Sequence, residues 1–93
     1  MKPTIGRIVH VVLKEDVLKG VRLHEAPAHY PFGVGAHRPA IITHVWDGDA
    51  IDVQVFVHHE DVWPGHPLTL QYTWLFEDPT HQSGSWHWPE REE

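Results

Sequence analysis

No cysteine occurs in the 93-residue chain, which removes disulfide staples, thiolate nucleophiles and cysteine metal ligands together. A secreted domain this small usually relies on such staples, so their absence points to a reducing cytoplasm. Long apolar runs are also missing. Met1-Lys2-Pro3-Thr4-Ile5-Gly6 does not look like a signal peptide, and no stretch is long enough to cross a bilayer. Cations are scarce beyond the first part of the chain. Residues 1–39 carry six lysines and arginines against three acids, whereas residues 40–93 carry ten acids against Arg91 alone. A surface for duplex nucleic acid needs many cations on one face, so that class of partner is not expected. A small anionic ligand needs only two or three, and Arg22 with Arg38 could supply them.

What the chain does have is rings. Five tryptophans and ten histidines stand out in a domain that has room for one modest core. In a small barrel most tryptophans pack inside. The same residue is also favoured for stacking on a ligand or anchoring an interface.

Residues 1–93 read as a single β-domain. Gly6 to Leu13 is β-branched and glycine-bounded, the mark of a first strand. Lys14 to Gly20 has room for one helical turn. Pro27, Pro31, Gly33 and Gly35 break up Val21 to His37, so a long connection of about residues 14–38 is expected before strand two. The tip of that connection, Ala28 to Gly35, is aromatic and only weakly charged, and reads as a loop that packs onto something. Pro39 to Trp46 forms the second strand, and Asp47-Gly48-Asp49 supplies hairpin turn residues. Ala50 to His58 alternates, with Ile51, Val53, Val55 and Val57 on one face and Phe56 on the polar one. Leu68 to Phe76 is read likewise, with Leu68, Leu70, Tyr72, Trp74 and Phe76 together and Thr69, Gln71, Thr73 and Leu75 opposite. Ser85 to Trp88 is a short last strand, and residues 89–93 a frayed tail. Five short strands with little helix predict an all-β fold, a small SH3-like five-stranded barrel.

No spacing in the chain marks a catalytic centre. Ser83 and Ser85 lack a strand-turn-helix elbow, and Gly33-Val34-Gly35 lacks the helix that gives a glycine-rich loop its meaning. The acid pairs Asp47 with Asp49 and Glu60 with Asp61 are explained by turns and solvation. Among His58, His59, His66, His81 and His87 there is no zinc spacing. His58 and His59 would point to opposite faces unless the strand has ended before them. The expectation is a binder without cofactor or metal, not an enzyme. Its candidate ligand residues are Arg22, Tyr30, Phe32, His37, Arg38, Trp63, Trp86 and Trp88. For Arg38 an ion pair with one of the many acids is an equal alternative.

Two resemblances add to this. Gly6-Arg7-Ile8-Val9 followed by His37-Arg38-Pro39-Ala40-Ile41-Ile42 resembles the opening of MazF-like toxin endoribonucleases, which are SH3-like barrels. That likeness implies a role for Arg38 in RNA cleavage, although Val57-His58-His59-Glu60-Asp61 replaces the family's threonine-bearing segment. Gly6 to His10, His37 to Ile41, Gln54 to Phe56 and Trp86 to Glu90 together resemble a group of small phage-encoded proteins, which implies a phage origin and a host cytoplasm. Two partner classes follow. One is a small anionic, nucleotide-like ligand, such as a host immune signal, sequestered between subunits of a homo-oligomer. The other is a host or virion protein contacted through loop 28–35.

Overall fold

Alternating apolar residues, cut by glycine- and proline-rich turns, give five strands in the computed structural model: β1 (Ile8–Val12), β2 (His37–Val45), β3 (Ile51–Phe56), β4 (Thr69–Leu75) and β5 (Trp86–His87). The structure describes residues 2–15, 23, 32–78, 80 and 82–89. Residues 16–20 of the expected helical turn, 28–31 of the loop tip and 90–93 of the tail lie outside them. The fold is all-β, with no helix among the described residues. The strands pair antiparallel in the order β4-β3-β2-β1-β5, and the sheet curls into a half-barrel.

β5 brings the two sheet edges together at one end. It pairs with β1 through His10–His87 and Val11–Trp86, while the chain leaving β4 runs parallel to it at Glu77–Trp86. Trp86 N donates to Phe76 O at 3.2 Å, and Asp78 N donates to Trp86 O at 3.0 Å. Backbone groups that an open edge would leave unpaired are therefore used locally.

The inward side carries Val9 and Val11 from β1, Ala40 and Ile42 from β2, Ile51, Val53 and Val55 from β3, and Leu70, Tyr72 and Leu75 from β4. Each fully buried valine, leucine or isoleucine contributes about 1.5–3 kcal/mol. Trp86 fills the centre, fully buried, and its Nε1 donates to the carbonyl of Asp49 at 2.8 Å. Tyr72 ties β4 to the end of β1, since its hydroxyl donates to the carbonyl of Lys14 and accepts from Lys14 N.

Two irregularities separate the sheet from simple alternation. The β2–β3 register shifts between Ile42 and His44, and the β3–β4 register shifts between Ile51 and Val53. Ile51 pairs with Leu75 and Val53 with Tyr72, so Thr73 and Trp74 together face Asp52 alone. The single-face reading of Leu68 to Phe76 is corrected here. The extra residue reverses the alternation, so Leu75 is buried while Trp74 and Phe76 are exposed, and Leu68 is exposed as well.

The connection between strands one and two also ends earlier than residue 38. His37 and Arg38 already belong to β2, paired with Val12 and Val11. Pro39 is tolerated within β2 because pairing with β3 begins only at Ala40.

Candidate functional site

Arg38 lies two residues before Ala40 and four before Ile42, so strand alternation sets it on the inward side of β2. At this end of the barrel it meets Asp61. Arg38 Nε donates to Asp61 Oδ2 at 2.7 Å and Nη2 donates to Oδ1 at 2.9 Å. Gly33 N donates to Oδ1 at 2.8 Å and His58 N to Oδ2 at 2.7 Å. The Asp61 side chain is fully buried and that of Arg38 is 20% exposed. Burial pushes the Asp61 carboxyl up. The Arg38 hydrogen bond, the Gly33 and His58 N–H groups and the Arg38 charge outweigh it and hold the carboxyl below its usual value.

Asp61 thus joins three segments: the end of the long connection at Gly33, strand β2 at Arg38, and the turn after β3. Its own N–H donates to His58 O at 2.9 Å, which closes that turn. Of the two roles open to Arg38, the ion pair is the one seen, and the guanidinium edge that would grip a phosphate grips Asp61. The reading of Asp61 as a solvated turn acid is corrected, because a buried carboxylate with four donors is a structural anchor. The signal for it in the sequence was the inward parity of Arg38 with Ala40 and Ile42.

The remaining candidates do not gather in one place. The Phe32 ring lies 5.6 Å from the Arg38 guanidinium and 4.7 Å from the His58 ring. His37, next to Arg38 in β2, takes the opposite face and packs 5.0 Å from His87, which also meets His10 at 5.7 Å. Trp63 is exposed in the turn that His66 N closes on its carbonyl. Trp86 is a core residue and offers no stacking face to a ligand. Trp88 is half-buried, edge-on to Trp86 at 5.2 Å and beneath the Arg7 guanidinium at 5.6 Å. Arg22 and Tyr30 lie outside the described residues.

His58 and His59 do follow the end of β3, so the rule of opposite strand faces does not separate them. Their rings stand 4.2 Å apart, and one donor atom each from His58, His59 and Glu60 lie within 4.8 Å of one another. All three residues are exposed. They are the residues that could hold a metal ion among those described.

The residues that sequence reasoning passed over stand where the two register shifts meet. Trp46 and Trp74 stack with ring centroids 4.7 Å apart and planes 11° from parallel. They remain 43% and 53% exposed. Asp52 Oδ1 fixes both, accepting from Trp46 Nε1 at 2.8 Å and from Trp74 N at 3.0 Å. His44 abuts Trp46 edge-on at 4.4 Å.

Trp74 is also strained. Its φ of 57° lies in the left-handed region, the sole such case among the described non-glycine residues. That conformation costs an L-residue roughly 1–2 kcal/mol. Beside the pair opens a cavity of about 380 Å³, walled by Trp46, Val45, Asp49 and Glu77 with Lys2 at its lining. Chemically, this face offers stacked π-surfaces flanked by carboxylates.

Comparisons with family models, curated proteins and solved structures return no match. Among the described residues no helix is long and apolar enough to cross a membrane.

Proposed function

We propose that this chain is a non-catalytic binding module that docks on a partner protein through the Trp46–Trp74 face of its sheet. The observation that carries the reading is the stacked pair itself, pinned by Asp52 yet left about half exposed. Large exposed aromatic surface costs a monomer solubility, and tryptophan is the residue most enriched at interface hot spots. Rings already immobilised lose little further freedom when a partner covers them. The strain at Trp74 supports the same reading, because backbone outliers gather at functional sites. The contact face thereby moves from loop 28–35, half of which lies outside the described residues, to the sheet.

In this reading the partner is a host protein and the setting is the host cytoplasm, as the likeness to phage-encoded proteins implies. Sequestration of a small anion draws less support, because the Arg38 charge is matched by Asp61. The test is affinity capture from host lysate with the wild-type chain and with Trp46→Ala/Trp74→Ala, followed by reconstitution with the purified partner. The double variant is expected to weaken binding by about tenfold or more. Equal affinity for both chains would overturn the proposal.

A further inference from the structure

The surroundings of the Trp46–Trp74 pair narrow the chemistry of what it binds. The reasoning rests on the binding reading above and names the class of group recognised. An indole face carries negative quadrupole density and attracts a cation placed over it. Here two indoles stack face to face, and the pair keeps about half of its surface exposed.

Carboxylates surround them. Asp52 Oδ1 accepts from the Trp46 indole N–H and the Trp74 backbone N–H, and among the described residues Oδ2 takes no hydrogen bond. Asp49 and Glu77 line the adjoining cavity with Trp46, and Asp49 Oδ2 accepts from Glu77 N at 2.9 Å. Asp47 is exposed in the turn directly after Trp46. Lys2 is the single cation lining that cavity, so the acids outnumber it. An anionic group brought to the pair would meet three or four carboxylates with one lysine to offset them. A neutral sugar would gain stacking but leave this charge unused.

We propose that the Trp46–Trp74 face, with Asp49, Asp52 and Glu77, binds a cationic side chain, the ammonium or guanidinium of a basic segment of the partner protein. The cation lies over the exposed indole surface and pairs with a carboxylate, so that ring and charge act on the same group. Association gains a salt-dependent steering term from the acidic second half of the chain.

The experiment follows the indole N–H signals of the full-length, 15N-labelled chain by NMR. The probes are tetramethylammonium chloride against a sodium chloride control, an oligoarginine peptide, an oligoglutamate peptide and methyl glucoside. The expected result is that the two cationic probes shift the Trp46 and Trp74 signals and the other two do not. Asp49→Asn/Glu77→Gln keeps the hydrogen-bond acceptors, and is expected to weaken oligoarginine binding by about tenfold without changing the unliganded spectrum elsewhere.

If glucoside or oligoglutamate shifts these signals while the cations leave them unmoved, the charge assignment is overturned and the binding face stands. If no probe shifts them, the cationic assignment is overturned as well. The capture comparison then decides the broader reading, which falls only if Trp46→Ala/Trp74→Ala binds the reconstituted partner as the wild type does.

Discussion

Asp61 and Arg38 meet through two parallel hydrogen bonds of 2.7 and 2.9 Å, with the acid shut off entirely from solvent. Removing the arginine would leave a buried carboxylate facing two backbone N–H groups without its counter-charge. Arg38→Ala is therefore expected to destabilise the fold by about 3–5 kcal/mol, read as a lower urea midpoint. Arg38→Lys restores part of this, because an ammonium cannot reproduce the two-pronged contact. A nuclease arginine of the toxin type would instead leave the midpoint near wild type and abolish RNA cleavage.

Asp61 also shapes the acid limit. Burial raises its carboxyl, but the Arg38 hydrogen bond, the two backbone donors and the Arg38 charge bring it below the usual 3.8. A carboxyl held low in the folded state gives its full stabilisation above its unfolded value and loses it as pH falls through the folded one. The midpoint of wild type is expected to fall as pH drops below about 4. Asp61→Asn starts from a lower midpoint at neutral pH and declines less over that interval. Parallel acid arms for the two proteins would refute this.

Trp74 offers a test of strain against stacking. Trp74→Gly relieves a left-handed conformation costing roughly 1–2 kcal/mol and gives up a ring pair worth about 0.5–1.5 kcal/mol. Stability is expected to change by less than about 1 kcal/mol. Trp74→Val keeps the strain and loses the stack, so its stability is expected to fall by about 0.5–1.5 kcal/mol. Thermal melts of the two variants side by side would show the difference.

Tyr72 joins β4 to the main chain at Lys14 through both a donated and an accepted hydrogen bond. Tyr72→Phe retains the ring and removes the hydroxyl. A loss of about 1–2 kcal/mol is expected, with amide exchange accelerated near Lys14.

Asp52 ties the Trp46 indole to the Trp74 main chain, so its removal should be visible optically. Two stacked indoles couple and give a paired band in circular dichroism. Asp52→Ala is expected to lose most of that band, while Asp52→Asn, which can still accept both bonds, keeps it.

The sheet was legible in the sequence because alternation and turn chemistry leave strong local marks. Ile51, Val53 and Val55 face inward as their spacing requires, and Gly48 turns the β2–β3 hairpin with φ of 62°. The five strands lie where they were expected, one or two residues shorter at most ends. Leu75 and Trp74 were exchanged because a bulge is set by the partner strand and writes no signature of its own. The site was harder to read for the same reason. Asp61 acquires its meaning from Arg38, 23 residues away, and Trp46 from Trp74 across β3. Composition could reveal that aromatics were plentiful, but not which of them faced outward.

The extra residue in β4 separates what the sheet displays from what it conceals. Leu75 returns to the interior directly after Trp74, and neither Trp46 nor Trp74 belongs to the core. The rings can therefore be exchanged by mutation while the interior stays as it is. A lineage under pressure from changing partners could retune this face one side chain at a time, without repacking the interior.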